Sequence, residues 1–109
     1  MEKYKVKMTM EQEFESGERD CVETETVARF NKEGNKLQII YNNGNEMFFE
    51  VGKTLPYPCL ADGYELLLYI TTDKLLWVGN RIDVEYRVAA DLEQAIVSKN
   101  ILKMEWTEE

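Results

Sequence analysis

Apolar and polar residues alternate along most of this chain with a period of two, which is typical of half-buried β-strands. In the opening segment the apolar side chains take even positions and the charged ones odd positions. The apolar set is Tyr4, Val6, Met8, Met10 and Phe14, and the charged set is Lys3, Lys5, Lys7, Glu11, Glu13 and Glu15. The even parity continues beyond a turn at 16–19, and no segment shows a long helical period. The pattern therefore predicts an all-β, antiparallel protein.

The first hairpin has a register that the pattern itself suggests. Placing apolar side chains opposite one another pairs Val6 with Phe30 and Phe14 with Val22. A half-buried sheet fixes its register in this way, because a shift would move apolar side chains away from the buried face.

Further strands follow the hairpin at short intervals. They are predicted at Leu37–Tyr41, Met47–Val51, Tyr64–Thr71, Leu75–Val78, Ile82–Val88 and Ile96–Trp106. The segment 52–62 is predicted to be irregular, because Pro56 and Pro58 cannot donate hydrogen bonds to a ladder. Many short antiparallel strands with regular turns predict a barrel or a sandwich.

The length of the chain indicates how many domains it forms, and its charge disfavours some classes of partner. The 109 residues make one domain, 1–109, and the formal net charge is −8. Nucleic acids and anionic membranes both favour basic surfaces, so neither is an expected partner. The sequence shows no signal peptide and no apolar stretch long enough to span a bilayer. We therefore expect a cytoplasmic protein in which Cys21 and Cys59 stay reduced.

Three segments resemble a known protein family. Tyr64–Leu75, with the letters YELLLYITTDKL, is similar to the L-x-L-x-x-x-T-x-x-L strand of the YwiB-like bacterial family. Ile82–Val88 and Ser98–Met104 resemble that family's I-x-I-x-Y-x-L and S-x-N-x-L-x-I patterns. The resemblance implies a calycin-like, or lipocalin-like, β-barrel and implies no activity.

Two departures from the family pattern affect the expected barrel. Only Asn42 to Glu46 stands where the family has a further hairpin, and Pro56-Tyr57 is followed by Pro58 instead of glycine. We therefore expect a reduced or partly open barrel of about six to eight strands. An open barrel has unpaired strand edges, which predict a homodimer through an open sheet edge.

Catalysis is not indicated. The chain has no histidine, which removes the commonest general base and the usual catalytic triads. Two cysteines without histidine also make a structural metal site improbable. We expect no enzyme activity, no metal and no cofactor, with both thiols free and unreactive.

The first hairpin carries a cluster of acidic residues on its outer parity. The predicted register places Glu11 beside Glu25 and Glu13 beside Glu23. Three interpretations are open for such a cluster: a solvated outer face, a weak calcium or acid–base site, and a surface that docks a basic protein partner.

Five aromatic residues define the second candidate site. Either they form the core, or they line a pocket for a small neutral apolar ligand: Tyr41, Phe49, Tyr64, Tyr86 and Trp106. Arginines at 29, 81 and 87 fall on the outward parity, which disfavours an anionic lipid. The sequence thus predicts a non-catalytic binding or protein-interaction module, with a carrier of a neutral apolar ligand as the alternative.

Overall fold

The computed structural model describes residues 3–42, 44–61, 63–90 and 96–108, without the side chains of 59–61, 64–66, 96 and 108. Over these ranges the secondary structure is entirely strand and turn. The strands are β1 (Tyr4–Phe14), β2 (Arg19–Glu33), β3 (Lys36–Tyr41), β4 (Glu46–Glu50), β5 (Thr54–Ala61), β6 (Tyr64–Val78), β7 (Arg81–Ala89) and β8 (Ile96–Glu108).

All eight strands belong to one antiparallel sheet. Their spatial order is β4-β3-β2-β1-β8-β7-β6-β5, so β1 and β8 pair in the middle of the sheet, with Tyr4 opposite Glu108. The strands β4 and β5, which are consecutive in the chain, lie at the two edges.

The segment that follows β4 meets β6 at a short seam, next to the edge strand β5. Val51 forms a parallel bridge with Thr72 of β6, and the Gly52 amide donates to the Thr72 carbonyl at 2.9 Å. The Thr72 amide in turn donates to the Lys53 carbonyl at 3.4 Å. These contacts nearly close the sheet into a barrel, which confirms the predicted all-β, partly open antiparallel barrel.

Strand β5 corrects one sequence prediction. The segment 52–62 was expected to be irregular, yet Thr54–Ala61 pairs with β6 along its length. An edge strand needs hydrogen bonds on one side only, so Pro56 and Pro58 fit where the backbone nitrogen faces away from β6. With β5 included the described residues form eight strands, at the upper end of the six to eight expected.

Strand β6 is continuous where the sequence predicted two strands. The ladder with β7 shifts between Thr72 and Lys74, so Asp73 is the extra residue of a β-bulge. The bulge reverses the parity of the strand: Ile70 and Thr72 are buried before it, whereas Leu75 packs against the core after it.

The register predicted for the first hairpin is wrong. Val6 lies opposite Thr26 instead of Phe30, and Val22 lies opposite Met10 instead of Phe14. A tight turn sets this register, since the Gly17 amide donates to the Phe14 carbonyl at 2.8 Å. Gly17 has a φ of 89°, which glycine adopts without strain. The tip of the hairpin extends beyond the core, leaving Val22 46% exposed.

The barrel interior holds an apolar core, to which β1, β2, β3, β4, β6, β7 and β8 each contribute a buried side chain. It consists of Val6, Ala28, Phe30, Leu37, Ile39, Phe49, Ile70, Ile82, Val84, Tyr86, Leu102, Met104 and Trp106. The inward parity of β1, β2, β3 and β7 agrees with the sequence pattern, although the pairing within the first hairpin does not.

Candidate functional site

One half of the barrel interior is aromatic. The Trp106 ring centroid lies 4.9 Å from Phe30, 5.2 Å from Trp77 and 5.8 Å from Tyr4. Phe30 also meets Trp77 edge-on at 6.0 Å. Mutually packed rings of this kind stabilise a core beyond the area they bury.

The other half carries a row of neutral polar side chains. Gln12 of β1, Asn100 of β8, Tyr86 of β7 and Thr72 of β6 are successive cross-strand neighbours. Because they occupy equivalent positions of adjacent strands, their side chains project to the same face, which is the barrel interior. We call these four residues the polar row.

Two members of the polar row have unpartnered polar atoms. Asn100 is 2% exposed, and its Nδ2 donates to the Ser98 Oγ at 3.1 Å. Asn100 Oδ1 and Thr72 Oγ1 are both buried without a hydrogen-bond partner among the described residues. Most buried polar atoms in proteins have a partner, and leaving one without costs about 1–3 kcal/mol.

Tyrosine hydroxyls border the polar row. Burial raises the pKa of Tyr86, and the neighbouring Tyr41 and Tyr57 raise it further. Burial, with a smaller effect of Tyr57, also raises the pKa of Tyr41 to about 12. Tyr86 Oη lies 3.5 Å from Met10 Sδ, and Tyr41 Oη lies 3.5 Å from Met47 Sδ. These phenols stay neutral near pH 7, so this half of the interior is polar but uncharged.

The five aromatic residues predicted to line a ligand pocket do not form one group. Phe49 and Tyr86 are in contact, with ring centroids 5.1 Å apart, and Tyr41 lies near them. Trp106 belongs to the aromatic half, packed on Phe30 and Trp77. The side chain of Tyr64 lies outside the described residues.

The outer face of the β2-β1-β8-β7 wall holds three open grooves that follow one another along β1 and β8. Their volumes are about 700, 610 and 560 Å³. Outward-facing charged side chains line all three, and the largest lies beside the turn of the first hairpin. We call the largest one the outer groove.

Two glutamates in the outer groove take part in no described ion pair, although Lys74 of β6 lies opposite one of them, Glu85. Glu11 of β1 and Glu85 of β7 are both direct cross-strand neighbours of Ile101 on β8. Within the described part of the chain, no ion pair involves either carboxylate. The half-buried Ile101 side chain thus lies between two unpaired carboxylates.

The predicted acidic cluster is spread over the wall and does not form adjacent pairs. Glu11 lies opposite Cys21, and Glu13 lies opposite Arg19, with 3.9 Å between their charged groups. Glu23 pairs with Thr9 and Glu25 with Lys7, so the expected side-by-side glutamates are wrong. The shifted hairpin register is the cause.

Glu85 was missed as a member of this site. The alternation in β7 does place it on the outward parity, but the strand order that brings β7 beside β8 and β1 is a tertiary property. Among the residues that the structure describes, no three acidic, cysteine or histidine side chains converge as a metal site would require. No described helix is long and apolar enough to cross a membrane.

Comparison with known proteins supports the fold. No protein-family model matches the sequence, and no curated protein sequence matches it. The structure is similar to the crystal structure of the ywiB protein from Bacillus subtilis, with a TM-score of 0.66 and 10% identity. The similarity covers 97% of this chain and 92% of that one. The likeness shows a YwiB-like fold.

Proposed function

We propose that the protein is a non-catalytic, cytoplasmic interaction module that binds a basic segment of a partner protein in the outer groove. The observation that carries the proposal is the pair of unpaired glutamates, Glu11 and Glu85, on either side of Ile101. The net charge of −8 supports the same partner, because it attracts basic segments over distance.

The groove offers both parts of a lysine or arginine side chain a suitable contact. Glu11 and Glu85 are two strand spacings apart, which is about 10 Å between backbones. The aliphatic stem of a basic residue can cover Ile101, while its charged end reaches either carboxylate. The two arginines that line the groove are already engaged, Arg19 with Glu13 and Arg87 with Asp73. Glu11 and Glu85 take part in no described ion pair, although Lys74 lies opposite Glu85 on β6.

The first experiment uses a short, end-capped peptide of alternating lysine and alanine as a probe at low salt. Its binding is measured by NMR titration of backbone amide shifts. We expect the largest shifts at Glu11, Glu85 and Ile101. The double variant Glu11→Gln/Glu85→Gln should weaken binding about tenfold, because two exposed charge contacts together contribute about 1.4 kcal/mol.

A matched control removes the same charge elsewhere. Glu33 lies at the end of β2 and Glu46 at the start of β4, and both are exposed. Glu33→Gln/Glu46→Gln should change the affinity by less than about twofold, since distant exposed charges are screened. Equal weakening by the two double variants would mean that only net charge matters, and the proposal would be wrong. Absence of shifts in the outer groove would contradict it as well.

The alternative, a carrier of a small neutral apolar ligand, has less support. Phe49 and Tyr86 pack on each other, and Trp106 packs on Phe30 and Trp77. Rings that contact one another in this way act as core side chains. The outer groove therefore supports the interaction module better.

A further inference from the structure

We propose that the polar row inside the barrel binds a small uncharged molecule bearing a hydroxyl or a primary amide, held by Asn100 and Thr72. The side chains of the row face the barrel interior, whereas the charged side chains of the outer groove face outward from the same strands, and Gln12, Tyr86 and Asn100 border both. The proposed binding at Asn100 and Thr72 therefore does not depend on the proposed interaction function.

The first argument is the cost of the unpartnered atoms. Asn100 and Thr72 are 2% and 1% exposed, yet Asn100 Oδ1 and Thr72 Oγ1 find no partner among the described residues. An apolar side chain of similar shape at either position would avoid that cost. Two such atoms in one cross-strand row, separated only by Tyr86, indicate a surface that accepts hydrogen bonds from a guest.

The second argument defines the ligand's chemistry. The polar side chains of the row and the neighbouring Ser98 are neutral: Gln12, Thr72, Tyr86, Ser98 and Asn100. The charged neighbour in the same register, Asp20 opposite Gln12, is exposed to solvent near the hairpin tip. A charged ligand would lose its hydration without gaining an opposite charge, which is strongly unfavourable. Asn100 Oδ1 requires a donor, whereas the Thr72 hydroxyl can donate or accept. A hydroxyl or primary amide carries both functions, and it also suits either orientation of the Asn100 amide.

The third argument concerns the position of the row. It ends at Thr72, whose backbone amide and carbonyl form the seam with Lys53 and Gly52. Strand β4 and strand β5 lie at the two sheet edges there, and the closure consists of a few hydrogen bonds. Few bonds need to open at that point for a small molecule to reach Thr72 from solvent.

The test compares two probes of similar size, propionamide and butanone. Propionamide has a donor and an acceptor, whereas butanone has an acceptor only. Binding is followed by NMR through the Asn100 side-chain NH₂ signals and the backbone amides of Thr72 and Tyr86. We expect saturable shifts with propionamide and none with butanone.

Two variants test whether the NMR response to propionamide comes from binding at the polar row. Thr72→Val keeps the side-chain shape and removes the hydroxyl, so it should weaken propionamide binding about fivefold to tenfold. Thr107→Val is the matched control, because Thr107 is exposed on β8 and should leave binding unchanged. Thermal unfolding of Thr72→Val verifies that the variant folds; its melting temperature should equal or exceed that of the parent, since the lost hydroxyl has no partner.

Three outcomes would overturn the proposal. The first is no saturable response to propionamide. The second is the same affinity in Thr72→Val as in the parent. The third is an ordered water seen by water–amide cross-relaxation at Asn100 that propionamide does not displace, which would make the row a hydration site only.

Discussion

Arg87 on β7 donates two charge-assisted hydrogen bonds to Asp73, the bulged residue of β6. Its Nε lies 2.9 Å from Oδ2, and its Nη2 lies 2.9 Å from Oδ1. Hydrogen bonding to Asp73 raises the pKa of Arg87 above its already high ordinary value. The pair fixes the bulge at the point where β6 changes parity, so it connects a surface contact to the placement of core side chains.

Replacing Arg87 should destabilise the barrel more than replacing Arg81, the other arginine of β7. Arg87→Gln is expected to lower the free energy of unfolding by about 1 kcal/mol, because a bidentate pair is lost from a partly exposed site. The difference in free energy of unfolding between Arg87→Gln and the parent should shrink in high salt, because salt screens exposed charges. Urea unfolding at low and high salt measures both effects.

The control is Arg81→Gln. Arg81 makes one longer contact, 3.3 Å from Nε to the Oδ1 of Asp83 on the same strand. Its loss should change stability by less than about 0.5 kcal/mol. Equal losses at the two positions would show that Arg87 has no special part in holding the bulge.

Stability should fall in alkaline solution because of the buried tyrosines. The folded pKa of Tyr41 is about 12, above the ordinary value of 10.0. Between these values the unfolded chain has lost the phenol proton and the folded chain keeps it, so the unfolded state binds fewer protons. Stability is therefore full below pH 10 and decreases as pH rises, by up to about 1.4 kcal/mol per pH unit for each such tyrosine.

Thermal unfolding between pH 9 and pH 11.5 checks this expectation, with tyrosinate absorbance as a second signal. Tyr41→Phe removes one titrating group, so its melting temperature should depend less steeply on pH. The same variant also loses the Tyr41 Oη contact with Met47 Sδ, which affects stability at all pH values alike. An unchanged slope in Tyr41→Phe would rule out Tyr41 as a source of the alkaline destabilisation.

The seam should depend on the backbone freedom of Gly52. Gly52 has a φ of 80°, and a Cβ there would meet nothing within 4 Å, so the cost of a side chain is conformational only. Gly52→Ala is expected to destabilise the protein by about 1–2 kcal/mol. Hydrogen exchange of the Thr72 amide should accelerate, because that amide donates to Lys53 across the seam.

Gly79 provides the comparison. Its φ of 59° lies in the left-handed region that asparagine tolerates, and it lies in the turn between β6 and β7. Gly79→Asn should cost less than Gly52→Ala and leave exchange at Thr72 unchanged. Faster exchange at Thr72 in both variants would indicate general destabilisation instead of a local opening.

Prolines protect one sheet edge from pairing with another chain. Pro56 and Pro58 lie on the edge strand β5, where they remove two backbone donors from its open side. Pro56→Thr/Pro58→Thr restores both donors and should increase self-association, as light scattering after size-exclusion chromatography would show. A variant with the same apparent mass as the parent at high concentration would contradict this role.

The homodimer expected from the sequence stays a prediction, and the prolines limit its geometry. With β5 blocked, the edge that can pair with a second copy is β4 (Glu46–Glu50). Phe48 is exposed on β4, and the register with β3 directs its backbone amide to the open side. Phe48→Pro should therefore abolish any dimer that light scattering detects in the parent. A dimer that persists in this variant would have to use another surface.

The sequence pattern predicted which side chains face the barrel interior, but it did not predict which residues pair across the first hairpin. The inward positions of β1, β3 and β7 follow directly from alternating apolar residues, since alternation reflects burial of one face. The hairpin register depends instead on the turn, and a tight turn at Gly17 overrides the apparent matching of Val22 with Phe14. Val22 lies opposite Met10 and stays 46% exposed, because the hairpin tip extends beyond the core.

The candidate sites were harder to predict because they combine distant segments. Glu11 was identified from the first hairpin, but its counterpart Glu85 comes from β7, and only the strand order brings them to the same groove. The polar row was missed for a related reason. Thr72 and Asn100 read as ordinary strand residues until burial and hydrogen bonding are known.

The pairing of β1 with β8 also bears on how the chain folds. The other described ladders join strands that are consecutive in the sequence. The β1–β8 ladder pairs Tyr4 with Glu108, so its two strands come from opposite ends of the chain. A circular permutant that links the two chain ends and begins at Lys53 would order the strands as a simple meander, with all neighbours consecutive. Because rates rise as contacts become more local, that permutant should fold faster into the same barrel.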